Sequence, residues 1–576
     1  MRGNIFFNDN ICSGLYTGQI PASVLQNGVS DADLVIVVSA EKALNFATQT
    51  IEVCQGSTLA AAYPCVLDQF DRPVVGYTNF CLENLGILNG PTFNNWLRAP
   101  LVNNPPVLLT QRGVDNIIST TLHETGHVLG MVIDMFRFFR DPETGDFQTP
   151  RPFESTRVWC PDGTTRSVPL PSTRTLQWEL SPRGVRHYHV VTPRVRTVVR
   201  NHFNCQSLQG ARIENLPTLG SCIGSHWDER LFYSELLGPA LSGVADPLSP
   251  LTLALLEDSG WYMVNYTGST ASPYGHAAGC EFVNNDCIVN NQVPSYGAGA
   301  FCDTPTEISP FGGIVPLSNP IYCDPNHIEL ALCDLFDTDA LPPSSTINSG
   351  PNTVRYFDNH PSWISIFQLT DQCPLPQITL GVDCTDPMAY TLANDPFRKT
   401  YQGEESGPSS RCINADPNDG SPARAGCFPI ECDAAAFRVR IAGQECRFDG
   451  EELSVGLTNG NSLGKVICPP LAVVCPDLYC PVACSGRGVC DYDATPPRCE
   501  CYNPNDNSPA CDGSRPRSFP QQPSPSATPS PSTGQSPSTG QSTPTGQSTG
   551  QSQATGLLSY VSMVTTAMVS AMVLLW

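Results

Sequence analysis

The chain has 576 residues, 40% of them hydrophobic, with 31 basic and 54 acidic side chains and a formal net charge of −23. Such a length exceeds one compact core and predicts two or more folded units joined by linkers. The acidic balance excludes a nucleic-acid binder, because affinity for phosphate needs clustered Lys and Arg.

The 26 cysteines place the chain in an oxidising compartment, where an even number can pair completely. CxxC pairs are absent, which argues against a set of zinc-binding modules. A secreted chain is expected to begin with an apolar leader, yet residues 1–13 read MRGNIFFNDNICS and contain no such run. We therefore expect an incomplete start or a different initiator.

In chain order, residues 33–39 (DLVIVVS) and 73–77 (PVVGY) are predicted as buried strands. Residues 113–132 place Val114, Ile117, Ile118, Leu122, Val128 and Leu129 at roughly helical spacing, with Asp115 near the start as a cap. A helix is predicted there, in an N-terminal subdomain spanning 1–135. Residues 136–224 are rich in Arg, Pro and Thr with little periodicity and are expected to form a long insertion, within a subdomain at 136–264. Spaced cysteines over 265–474 predict a disulfide-rich, irregular C-terminal domain.

Within a module at 475–515, Cys480 to Cys511 hold six cysteines in the order C-x3-C-x5-C-x8-C-x-C-x9-C, too many for a hydrophobic core of that size. With Ser485-Gly486-Arg487-Gly488 before the third cysteine, this knot resembles an EGF-like module. Residues 516–556 carry no charge after Arg517 and repeat Thr-Gly-Gln-Ser, which predicts an extended, glycosylated stalk. The uncharged residues 557–576 follow the small residues Ser548, Thr549, Gly550 and Ser552, and are expected to be a GPI-attachment signal rather than a retained transmembrane helix.

His123-Glu124-Thr125-Gly126-His127 matches HExxH, which places two imidazoles on one helical face with the glutamate beside the metal. A hydrolytic zinc site takes three protein ligands and a water. In the extended pattern HExxHxxGxxH, Gly130 holds the glycine position, but Ile133 stands where the third histidine would be. On chemistry alone the third ligand is open among Asp134, His187, His189, His202 and His226.

The helix with Gly130, the insertion, and the downstream Gly224-Ser225-His226, Glu235-Leu236-Leu237-Gly238-Pro239 and 251–262 (LTLALLEDSGWY) together resemble the leishmanolysin and invadolysin metalloproteases. The resemblance covers about residues 10–475. It implies an α+β metzincin catalytic domain and a zinc endopeptidase acting on proteins or peptides at the extracellular face of the plasma membrane. One Zn2+ would be held by His123, His127 and His226, with Glu124 as general base. The family's methionine turn aligns with Leu253, a departure from its pattern, and nothing upstream of Asn8 can serve as its inhibitory propeptide cysteine. The alternative expectation is a catalytically inactive surface adhesion glycoprotein on a degenerate protease fold.

Overall fold

The computed structural model describes residues 10–11, 15–16, 22–45, 50–85, 111–160, 164–181, 183–215, 223–240, 242, 246–308, 318–340, 355–389, 399–460 and 462–513. The stalk at 516–556, the hydrophobic tail at 557–576 and most of residues 1–13 lie outside them. Among the described residues no helix is long and apolar enough to cross a membrane.

The first sheet has three strands: β1 (Val35–Ser39), β2 (Ala60–Leu67) and β3 (Pro73–Phe80). β3 is central, parallel to β1 and antiparallel to β2. Its residues are almost all buried because α1 (Gln111–Leu129) lies across it. Gly76 permits this approach, since a Cβ there would sit 2.2 Å from Cγ1 of Val128. The helix starts before Asp115, which is therefore an interior residue and not its cap. Its inward face also differs from the apolar spacing: Val114 and Ile118 are exposed, whereas Thr120, Thr121 and Thr125 are buried. Each of these threonines donates its hydroxyl to the carbonyl four residues back, at 2.8 Å, so burial leaves no orphaned oxygen.

The described part of residues 136–224, expected as a long insertion, contributes to the main apolar core. α2 (Ile133–Phe136) leads into a sheet of β4 (Leu176–Leu180), β5 (Arg186–Val190) and β6 (Ala211–Ile213), with α3 (Pro193–Phe203) between the last two strands. Phe136, Tyr188, Val195, Phe203 and Ile213 join one apolar cluster with Trp227, Leu237 and Phe282. α4 (Pro250–Asp258) packs on α3. The buried carboxylate of Asp258 accepts from the backbone N–H groups of Arg194 and Val195 at 2.8 and 3.1 Å, satisfying the otherwise unpaired first turn of α3.

The C-terminal region is disulfide-rich and built of short antiparallel strands. Cys323–Cys412, Cys384–Cys427 and Cys432–Cys475 are among its bridges, and Tyr401, Phe428 and Ile441 centre a second apolar cluster. No described cysteine is free.

The cysteine knot is a hairpin of strands Gly488–Asp491 and Arg498–Cys501, closed by Cys480–Cys490, Cys484–Cys499 and Cys501–Cys511. It docks firmly on α3. Nδ2 of buried Asn201 donates to the carbonyls of Ala483 and Gly488 at 3.0 and 2.9 Å, while its Oδ1 accepts from the Cys490 N–H at 3.1 Å. Arg487 pairs with Glu257 of α4. Asn201→Leu strands three buried backbone groups, so it should lower unfolding free energy by about 3 kcal/mol, read from urea unfolding curves.

Candidate metal centre

α1 ends in a tight turn at Gly130, whose φ is +128°. A side chain there is excluded twice, by that dihedral and by the Trp261 ring, 2.8 Å from a Cβ. The Met131 N–H donates to the Gly126 carbonyl at 3.0 Å, and the turn brings the Met131 carbonyl back to the helix. There it accepts from Nδ1 of His127 at 2.6 Å.

His226 arrives from the opposite side. The Ile133 N–H donates to Ser225 Oγ at 3.2 Å, tying the Gly224-Ser225-His226 loop to the segment beyond the turn. Glu214 and His226 are bonded through their backbones, Glu214 N–H to His226 carbonyl at 2.9 Å. Gly224 is required here, since a Cβ would lie 2.5 Å from that of Glu214.

Nε2 of His127 lies 3.0 Å from Nε2 of His123 and 3.1 Å from Nε2 of His226. Each ring gives its other nitrogen to an acceptor: His123 Nδ1 to the Leu236 carbonyl at 2.7 Å, His127 to Met131, and His226 Nδ1 to Glu214 Oε2 at 2.8 Å. With Nδ1 carrying the proton, each neutral ring turns an Nε2 lone pair toward one point. Three converging lone pairs repel unless a cation lies between them. Tetrahedral zinc with Zn–N near 2.0–2.1 Å sets ligand nitrogens about 3.3 Å apart, close to these separations, so the residues fit the ion.

Burial, followed by the charge of His226, pulls His123 down to about 3, and burial likewise holds His127 well below the ordinary histidine value. Both effects favour the unprotonated rings that a metal requires. Glu124 is buried, its Oε2 has no hydrogen-bond partner among the described residues, and burial pushes its carboxyl up to about 8.

The structure separates the other candidate ligands from this trio. His187 faces Asp228 at 3.7 Å, His189 faces Glu179 at 3.0 Å, His202 bonds the Tyr274 carbonyl at 2.9 Å, and Asp134 lies beside Tyr63 and Arg137. A buried group of His187, Asp228 and Asp371 has ligand-like spacing, but Arg212 and Arg230 already balance its carboxylates.

Leu253, expected beneath the metal, packs with Leu256, Val264 and Tyr266 and against Leu129 at the end of α1. The side chain against the helix between the two histidines is Leu237, whose Cδ2 would meet a Cβ on Gly126 at 2.9 Å. Sequence reasoning also missed Glu214, which carries no motif and is recognisable only by its contact with His226. Glu214→Ala should weaken metal binding about 10–100-fold, measured by competition with a chelator.

The leishmanolysin family model, peptidase M8, matches residues 99–480. The chain is 27% identical over 488 residues to the leishmanolysin-like peptidase of Drosophila melanogaster, covering 78% of this chain and 64% of that protein. It is 25% identical over 292 residues to leishmanolysin of Leishmania major, covering 48% and 43% of the two chains. Against the ciliated left-right organizer metallopeptidase of Homo sapiens the identity is 28% over 238 residues, 41% and 24% of the two. The chain thus spans less than two thirds of the length of these relatives. On the family match, which takes in both HExxH and His226, the chain belongs to the leishmanolysin family of metallopeptidases.

Proposed function

We propose that the protein is a zinc endopeptidase that hydrolyses peptide bonds in proteins, with His123, His127 and His226 as ligands and Glu124 as general base. The observation that carries this reading is the convergence of three Nε2 atoms whose rings are each fixed through Nδ1. When bound, zinc supplies Lewis acidity, polarising the scissile carbonyl and making water acidic enough to give up a proton.

The chain's own residues do the rest. Leu236, Met131 and Glu214 hold the imidazoles in one tautomer, and Glu124, next to His123 on α1, takes a proton from water and returns it to the leaving amine. His226 keeps 24% of its side-chain surface exposed, which leaves a solvent path for substrate.

The disulfides support an extracellular setting. We extend the proposal to a GPI-anchored protein at the outer face of the plasma membrane and to an EGF-like knot at 475–515. The rival adhesion reading draws on Leu253, the N-terminal start, the EGF-like knot and the stalk, and does not account for the three converging histidines.

The purified full-length protein should cleave an unfolded substrate such as casein, lose activity to a zinc chelator and regain it with zinc. A folded, zinc-loaded protein that cleaves no unfolded substrate would overturn the enzyme reading in favour of adhesion.

A further inference from the structure

A second cavity, of about 200 Å3, opens on the face of β5 and β6. At about 30 Å3 per water, it has room for a molecule of several heavy atoms. None of the three zinc-site histidines lines it.

Its lining is chemically divided. Buried Val199, Phe203, Leu231 and Phe232 make an apolar wall. Glu179, Ser207 and Gln209 are exposed and form a polar mouth. His189 and Arg212, 7% and 5% exposed, supply the buried polar groups.

Those buried groups are incompletely satisfied. Nε of Arg212 and both ring nitrogens of His189 have no hydrogen-bond partner among the described residues. Arg212 Nη2 reaches Glu179 Oε1 only at 3.6 Å, while His189 Nε2 lies 3.0 Å from the same oxygen. The nearby His189 ring is the main reason that Glu179 is held down to about 2, so it is an anion at neutral pH. In its neutral form His189 offers one ring nitrogen as a donor and the other as an acceptor.

The cavity therefore offers the unpaired Nε–H of Arg212, whose charge is shared with Asp228 and Asp371, together with an imidazole and a carboxylate beside an apolar wall. Donor and acceptor left unpaired at such depth carry a desolvation penalty that a matching guest removes. A bare inorganic anion would use Arg212 but leave the acceptor, Glu179 and the wall unmatched. An aliphatic hydrocarbon would use only the wall.

We propose that this cavity binds the α-carboxylate, α-nitrogen and apolar side chain of a leucine- or phenylalanine-like residue, free or at the carboxyl end of a short peptide. The carboxylate accepts from Arg212, the α-nitrogen donates to His189 or Glu179, and the side chain lies against Val199, Phe203 and Phe232. This assignment is independent of whether the histidine trio carries zinc.

Isothermal titration of the full-length protein with L-leucine and with glycyl-leucine tests it. Saturable binding of at least one is expected: tighter binding of leucine identifies the free amino acid, and tighter binding of glycyl-leucine the peptide end. Leucinamide, which lacks the carboxylate, should bind at least about tenfold more weakly. Arg212→Met should abolish binding. Should that variant fail to fold, Gln209→Trp, at the exposed mouth, should block entry while thermal unfolding stays cooperative. No saturable binding of either ligand, leucinamide matching leucine, inorganic phosphate competing as well as leucine, or wild-type affinity in a folded Gln209→Trp would overturn the proposal.

Discussion

Glu124→Gln should lower turnover of an unfolded protein by about 10²–10⁴-fold while zinc content and the unfolding curve stay at wild-type values. Glu124 is 4% exposed and its Oε2 is unpartnered among the described residues, an expensive position for a carboxylate without a chemical task. Burial alone pushes the group to about 8, so its ionised form is a stronger base than an exposed glutamate. Glutamine keeps the size and removes only the charge and basicity. It also relieves the desolvation of a buried anion, so stability should hold or rise slightly. Assays of casein cleavage, metal content and thermal unfolding on the same preparation separate the outcomes. Unchanged turnover would remove Glu124 from the mechanism, and loss of zinc together with activity would make it a structural support for the ligands.

The HExxH half of the site was legible because its information is local: four residues along a helix make just over one turn, so the two imidazoles share a face whatever the rest of the chain does. His226 was not legible in that way. It stands 99 residues from His127, and only the leishmanolysin resemblance selected it over His187, His189, His202 and Asp134. The fold shows what the spacing could not: Ser225 bonded to Ile133 places His226 at the end of the helix turn, where Ile133 itself cannot ligate.

Failures of the sequence reading have one common cause, which is long-range packing. Apolar spacing on α1 named the buried Val128 but also the exposed Val114 and Ile118, and part of the buried face consists of threonines whose hydroxyls are satisfied within the helix. Leu253 and Leu237 are both buried leucines, and the contact with Gly126 places Leu237 against the helix between the two histidines. The strand residues 33–39 and 73–77 were legible from their β-branched runs, but the role of Gly76 in admitting Val128 emerges only when sheet and helix meet.

His226→Ala should reduce zinc from about one per chain to a trace after dialysis, with a dissociation constant raised by more than about 100-fold, beyond the effect of losing a supporting residue. Two ligands remain on the helix, but no other candidate can take the third place: His187, His189 and His202 each face partners elsewhere, and Asp134 is held beside Tyr63 and Arg137. The variant also leaves Glu214 as a buried carboxylate without the imidazole it accepts from, so some loss of stability is expected alongside the lost metal. Glu214→Ala in the same background distinguishes the two effects: it removes the stranded carboxylate, so it should recover stability without recovering zinc. Metal content by atomic spectroscopy and affinity by chelator competition are the readouts. Full retention of zinc in His226→Ala would show that the three converging Nε2 atoms are a packing arrangement and would move the third ligand elsewhere in the chain.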